Sequence, residues 1–360
     1  MLLSLGIEII PREIYGDESL DHRASYWKKL SQGLVRCQLC PNECLIAPGN
    51  TGRCHGRLNK NGTLFSIVYG RPSVIEMDSL IKAPLYHSSI KKDVFSIATA
   101  GCNLSCQYCQ NHKISQHGPN DVTRTFSMSP SDVVKRAVKH KAAGINFFYS
   151  EPTVYYEYMI DIAKLAKKNN LKTFCITAGH INEKPLINLI DYIDGFVVGL
   201  KGFNEGFYEK IIHGDLKSIL NTLKVLKKSH KKTYFEIVNL IVSGYNDKKS
   251  ELKKMTQWIA SEIGRETPLH FTRFEPHYKM KKIKSTPLKT LEQAWKIAKE
   301  SNLNHVYIGN VPGHNGAHTI CPKCNKILIH RMGFKVIKET HNGKGTCSCG
   351  YQLPGIWSDK

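Results

Sequence analysis

Gly101-Cys102-Asn103-Leu104-Ser105-Cys106-Gln107-Tyr108-Cys109-Gln110-Asn111 sets three thiols at a C-x3-C-x2-C spacing. The stretch directly follows Val94 to Thr99, a β-branched and aromatic run that predicts a strand feeding a loop. Structural zinc sites and ordinary iron-sulfur clusters take four protein ligands, so three cysteines are one too few for a closed site. The spacing therefore points to a 4Fe-4S cluster held by Cys102, Cys106 and Cys109, with one iron open to a substrate or cofactor. Two plainer readings stand beside it: half of a zinc site completed from elsewhere, and buried thiols packing as small hydrophobes.

From Val94 to Asn310 short strand patterns alternate with helix patterns. Strands are predicted at Val94–Thr99, Ile145–Tyr149, Leu171–Thr177, Gly195–Leu200, Thr233–Val242, Leu269–Phe274 and His305–Ile308. The first helix starts at Ser129-Pro130-Ser131-Asp132, with a serine cap, proline at the first helical position and an acid in the first turn. Its apolar face reads Val133, Val134, Ala137, Val138 and Ala142. This is an α/β chain of right-handed β/α units closing into a TIM-like barrel or most of one. In such barrels the chemistry sits at the C-terminal ends of the strands, which is where the cysteine loop falls.

The residue before the third cysteine is the aromatic Tyr108, and the resulting C-x3-C-x-aromatic-C pattern resembles the radical SAM superfamily. In that family the open iron is chelated by the amino and carboxylate groups of S-adenosylmethionine, and the resemblance places Tyr108 against this cofactor. It also makes Glu151, in Tyr149-Ser150-Glu151-Pro152-Thr153, the counterpart of the acid in the family's Gly-Gly-Glu motif, which accepts from the methionine ammonium. The plain alternative is a helix-initial Glu favoured by the dipole. Thr177-Ala178-Gly179 stands where relatives have Thr-Asn-Gly, so Thr177 and the Gly179 backbone approach the cofactor and no polar side-chain contact comes from Ala178. Gly199-Leu200-Lys201 replaces Asp-Leu-Lys, leaving Lys201 as a catalytic candidate against simple solvation. Leu240 and Val242 supply the adenine wall ahead of Tyr245-Asn246-Asp247, which is similar to the family's Pro-Gly-x-Asn-Asp loop. Beyond the sixth strand, Glu275 and His277 are candidates to reach a substrate, with a satisfied structural histidine as the bland reading of His277.

Two further cysteine sets flank the barrel. Residues 1–90 carry Cys37, Cys40, Cys44 and Cys54 among turn-marking glycines and prolines, a spacing that suits zinc or an auxiliary iron-sulfur cluster. The resemblance implies that residues 91–311 form the radical SAM barrel. Residues 312–360 carry Cys321-x2-Cys324 and Cys347-x-Cys349, a zinc-ribbon or rubredoxin-like pair of knuckles. The second pair is one residue short of C-x2-C, so distorted or missing coordination is expected there. With Leu85-Tyr86-His87, Phe274-Glu275-Pro276 and Tyr307-Ile308-Gly309-Asn310-Val311-Pro312, these regions resemble the radical SAM component of the AmmeMemoRadiSam system, related to pyruvate formate-lyase activating enzymes. That resemblance implies Memo-type and AMMECR-type partners and an electron donor such as ferredoxin or flavodoxin. It also implies reductive cleavage to a 5'-deoxyadenosyl radical that abstracts hydrogen from a substrate.

Composition narrows the class further. A 41% hydrophobic share and the lack of any run of about eighteen apolar residues predict no membrane span. Met1 to Pro11 lacks a basic start and does not read as a signal peptide, so the expected compartment is cytoplasmic. The formal charge of +21 favours polyanions or acidic partners. Its lysines, however, cluster in helix-periodic runs such as Lys224-Lys227-Lys228 without interleaved aromatics. Two alternatives to a radical enzyme acting on a protein or small molecule stay open: an activase of a glycyl-radical enzyme, and a metal-stapled nucleic-acid-binding protein.

Overall fold

The alternating apolar runs fold into one eight-stranded sheet with helices packed on its outer face. In the computed structural model, which describes residues 22–357, the strands are β1 (Pro72–Asp78), β2 (Val94–Thr99), β3 (Gly144–Phe147), β4 (Lys172–Thr177), β5 (Gly195–Gly199), β6 (Tyr234–Ile241), β7 (Leu269–Arg273) and β8 (Val306–Gly309). The reading of Met1 to Pro11 lies outside the described residues. Strands β2 to β8 run parallel in sequence order, and β1 pairs antiparallel with β2 at the edge. Among the described residues β8 pairs with β7 and β1 with β2, so the sheet is open; of the expected barrel or most of one, the closed form is not what the chain adopts. Strand β1 was not legible as a strand. Its Pro72 cannot donate to a ladder, and such residues are tolerated at edges.

Helices α1 (Pro130–Lys139), α2 (Tyr156–Lys168), α3 (Glu183–Ile190), α4 (Leu216–Lys228), α5 (Lys249–Trp258) and α6 (Leu288–Glu300) connect the strands. The start of α1 is a capping box: Ser129 Oγ accepts from the Asp132 N–H at 3.2 Å, and the Asp132 carboxylate accepts from the Ser129 N–H at 3.1 Å. Val133, Val134 and Ala137 are buried as expected, whereas Val138 sits at the margin of the stripe, 50% exposed. Among the described residues no helix is long and apolar enough to cross a membrane.

Side chains alternate across the strands. Phe95, Ile97, Phe147, Phe196 and Phe271 face the helices, while Val94, Phe174 and Val197 meet Leu80, Ala83 and Leu85 on the inner face. At the N-terminal ends of β6 to β8 the inner face is polar and sealed. Glu236 accepts from the backbone N–H groups of Tyr86 and His87 at 2.9 and 2.8 Å and pairs with His270 Nε2 at 2.5 Å. Arg331, 2% exposed, donates to the Tyr86 carbonyl and to Thr319, and stacks 4.1 Å over the Tyr86 ring. Leu85-Tyr86-His87 thus stitches the C-terminal sheet (Thr319–Ile320, Ile327–Met332, Lys335–Glu339) to the end of the strands opposite the cysteine loop.

Candidate active site and metal centres

The loop after β2 is held by neighbours on every side. Gly101 N–H donates to the Ile114 carbonyl at 2.9 Å, and the Ser105 and Gln107 N–H groups donate to Ile212 and Ile211 at 3.1 and 3.0 Å. Asn103 Nδ2 donates to the His180 carbonyl and Asn111 Nδ2 to the Tyr149 carbonyl, each at 2.7 Å. Gly101 adopts φ +98°, and a Cβ there would lie 2.3 Å from the Cys54 carbonyl oxygen. Both facts demand glycine. Gly101→Ala is expected to lower the loop's stability by about 1–3 kcal/mol from backbone strain alone. The check is a drop in iron retained after anaerobic reconstitution together with a lower melting temperature.

Cys106 is buried, and Cys102 and Cys109 are half-buried. Cys102 Sγ accepts from the Leu104 N–H at 3.4 Å, and Cys109 Sγ lies 3.2 Å from Ser115 Oγ. Burial pushes the Cys106 thiol up to about 11, against the pull of the nearby Lys201 ammonium. Burial and the Glu151 carboxylate hold Cys102 well above the usual thiol range. Only thiolates ligate a metal, so an incoming metal would have to displace these protons.

Glu151 is 4% exposed and faces this loop. Its Oε1 accepts from Thr153 N–H (3.1 Å), Thr153 Oγ1 (2.8 Å) and Thr177 Oγ1 (2.6 Å), while Oε2 accepts from the Ala178 N–H alone at 2.8 Å. The plain capping role is therefore real, and Oε2 keeps lone-pair capacity beyond it. Position 178, dismissed for lacking an amide side chain, contributes through its main chain. Gly179, at φ +73°, donates to Thr177 Oγ1 at 2.9 Å. Tyr149 takes the place of a motif glycine yet keeps a glycine-like backbone, φ +70°. That conformation costs a side-chain-bearing residue about 1–2 kcal/mol. It is offset by the Tyr149 hydroxyl, which lies 2.8 and 2.6 Å from the Glu76 and Asp78 carboxylates of β1.

The remaining candidates divide by position. Lys201 is held through its main chain, its N–H reaching the Tyr208 hydroxyl at 3.0 Å and its carbonyl accepting from Asn246 at 2.7 Å. Its Nζ lies 3.5 Å from where a Cβ on Gly199 would stand, so the ammonium points into the space of the missing aspartate. Tyr108 is buried, packs edge-on to Phe274 at 6.4 Å, and its hydroxyl has no partner among the described residues. Leu240 is half-buried, whereas Val242 has no accessible surface, so only Leu240 of the pair is open to a ligand. Glu275 is engaged by Ser285 and lies 3.5 Å from Arg273. His277 Nδ1 is 3.1 Å from the Glu275 carbonyl.

A model of the radical SAM superfamily matches residues 96–259. An uncharacterized protein of Methanocaldococcus jannaschii is 40% identical over 332 residues, spanning 92% of this chain and 98% of that one. The chain belongs to the radical SAM superfamily. It is thereby an enzyme, related to the activating enzymes of glycyl-radical enzymes. The pyruvate formate-lyase-activating enzyme of Clostridium pasteurianum is 25% identical over 194 residues, 54% of this chain and 77% of that enzyme. A solved domain of a pyruvate-formate lyase-activating enzyme from Bacteroides vulgatus is 16% identical, covering 47% of this chain and all 100% of that domain, with a TM-score of 0.41.

The donor set of the loop suits the superfamily's cluster. Its thiols are soft, and among the described residues they are not drawn into the tight group that a single ion requires. That tight group forms at the C-terminus instead. The thiols of Cys321, Cys324, Cys347 and Cys349 all lie within 4.8 Å of one another, with Cys321–Cys349 and Cys324–Cys347 sulfurs 3.5 Å apart. The C-x-C knuckle, one residue short of C-x2-C, brings both of its thiols into this group. Gly350, at φ +84°, donates to the Cys347 carbonyl at 2.9 Å and turns the chain tightly enough to aim both sulfurs inward. Backbone N–H donation from Cys349 leads the influences that hold the Cys347 thiol down at about 6. Asn103 and Ser115, which brace the loop, carried no sequence signal beyond their closeness to its cysteines.

Proposed function

We propose that this radical SAM enzyme reductively cleaves S-adenosylmethionine at a 4Fe-4S cluster held by Cys102, Cys106 and Cys109. The observation that carries the reading is the convergence of three loop thiols with the Glu151 carboxylate, whose Oε2 retains capacity for an ammonium. When bound, the cluster supplies one electron to the sulfonium, giving methionine and a 5'-deoxyadenosyl radical that takes hydrogen from a substrate. Glu151 receives the methionine ammonium, Thr177 and Ala178 orient Glu151, and Leu240 offers the adenine an apolar wall. Lys201 stands beside the cluster as a counter-charge, and Glu275 and His277 are positions for substrate contact.

The test is anaerobic reconstitution with iron and sulfide, addition of dithionite and S-adenosylmethionine, and product analysis by mass spectrometry. 5'-Deoxyadenosine with methionine supports the reading; methylthioadenosine, from cleavage of another sulfonium bond, would overturn it. Glu151→Gln is expected to raise the KM for S-adenosylmethionine about ten- to a hundredfold, the worth of a charged hydrogen bond.

A second reading, activation of a glycyl-radical enzyme, is favoured by the kinship with the Clostridium pasteurianum activating enzyme. A glycyl radical arising on a partner chain would select it. Within the superfamily we place the chain as the radical component of the AmmeMemoRadiSam system, with Memo-type and AMMECR-type partners and a ferredoxin or flavodoxin donor, on the strength of the flanking motifs. The C-terminal thiols fit one zinc, since tetrahedral bonds of about 2.3 Å place thiolates about 3.8 Å apart.

A further inference from the structure

Cys37, Cys40, Cys44 and Cys54 line one cavity together with Asn42, Arg57 and Asn103. The cavity's volume is about 20 Å³. Cys37 and Cys40 are buried and all four thiols are free. They come from separate pieces of the N-terminal module. Cys37 ends the strand Val35–Cys37, Cys40 and Cys44 lie in the turn that leads to Leu45–Ile46, and Cys54 lies before the strand Arg57–Lys60. Two small antiparallel sheets thus hold the walls of one cavity.

The thiols surround space without closing to the single-ion distances of the C-terminal four, as a multi-iron core requires when each sulfur binds a different iron. Among the described residues, Arg57 Nε, a buried donor on a side chain 1% exposed that lines the cavity, has no partner. The Arg57 guanidinium is already paired with the Glu157 carboxylate at 2.5 Å, so what it offers the cavity is the unused Nε–H donor and little net charge. Finally, the cavity shares a wall with the loop after β2. Asn103 follows Cys102 directly and lines the cavity, Asn42 Nδ2 donates to the Asn103 carbonyl at 2.7 Å, and the Cys54 carbonyl packs where Gly101 has no Cβ.

We infer that these four thiols hold a second iron-sulfur cluster, closed to substrate, that passes electrons singly to the cluster of the Gly101–Asn111 loop. With four cysteine ligands it has no open iron. A one-electron donor protein of the ferredoxin or flavodoxin class reduces it by one electron, and onward transfer restores its oxidised form, so it is a carrier and is not consumed.

The test begins with the Cys102→Ala, Cys106→Ala, Cys109→Ala variant, reconstituted anaerobically and analysed for iron, sulfide and zinc. It is expected to retain about two to four irons with matching sulfide, with a reduced paramagnetic signal that S-adenosylmethionine leaves unchanged. The wild type serves as the second measurement, because Cys37→Ala with Cys40→Ala should remove that same iron and leave the signal that responds to S-adenosylmethionine. An iron-free triple variant, or wild type holding zinc in place of the extra iron, would overturn the site. The carrier role rests on the proposed cleavage reaction and is read separately. The Cys37→Ala, Cys40→Ala variant should lose most of its cleavage rate with ferredoxin and keep it with dithionite. Full rates with both donors would overturn the carrier role while leaving the iron count to stand.

Discussion

Cys106→Ala is expected to reduce 5'-deoxyadenosine formation to background, the largest effect of any single substitution on activity. Cys106 is buried in a loop fixed by the Ser105 and Gln107 backbone bonds to Ile212 and Ile211, so no neighbouring thiol can swing into its place. With three protein ligands to begin with, losing one leaves a pair, too few to hold the superfamily's cluster. Cys175→Ala provides the contrast. That thiol is 1% exposed in the core between β4 and the helices and faces away from the inner surface. It should keep the iron and the product yield, and unaltered product formation by Cys106→Ala would contradict the assignment of the loop.

Glu157→Ala should produce the largest loss of stability. Arg57 and Glu157 form an ion pair of 2.5 Å with side chains 2% and 5% exposed. Both also bind Ser25, Arg57 Nη1 donating to its carbonyl and the Glu157 carboxylate accepting from its N–H, each at 2.7 Å. Removing the carboxylate strands a guanidinium in the seam between the N-terminal module and α2, a loss of about 3–5 kcal/mol. Replacing both residues with leucine should recover most of that, because the desolvation cost disappears with the pair. Urea unfolding followed through Trp27 fluorescence measures it, and equal midpoints for wild type and Glu157→Ala would contradict the account.

Much of this architecture was legible before any coordinate. The strands β2 to β8 lie within a few residues of the apolar runs that predict them, because strands buried on both faces read as continuous hydrophobic segments. The cap at Ser129 and the burial of Val133, Val134 and Ala137 follow from local chemistry alone. What periodicity cannot report is whether the first and last strands meet, and here β8 and β1 do not. Strand β1 was hidden because its Glu76 and Asp78 look solvated, while in the fold they meet the Tyr149 hydroxyl and help hold its left-handed backbone. The carboxylate of Glu151 was readable from the motif, but the contribution of the Ala178 main chain was not, since a backbone N–H has no residue signature. The apolar character of Val242 suggested a ligand wall, yet apolar residues serve cores first, and Val242 is wholly buried. That both thiols of the C-x-C knuckle join the C-terminal group was not legible from spacing, because the turn at Gly350 that brings them together has no signature in the cysteine count.

The most direct measurement is the low-temperature paramagnetic resonance spectrum of the reduced, reconstituted protein with and without S-adenosylmethionine. A 4Fe-4S cluster held by Cys102, Cys106 and Cys109, with its fourth iron open, predicts a signal whose g-values shift on addition of S-adenosylmethionine, and the shifting signal should be missing from Cys106→Ala. A reduced spectrum that S-adenosylmethionine leaves unchanged, or a shift that persists in Cys106→Ala, would contradict the account.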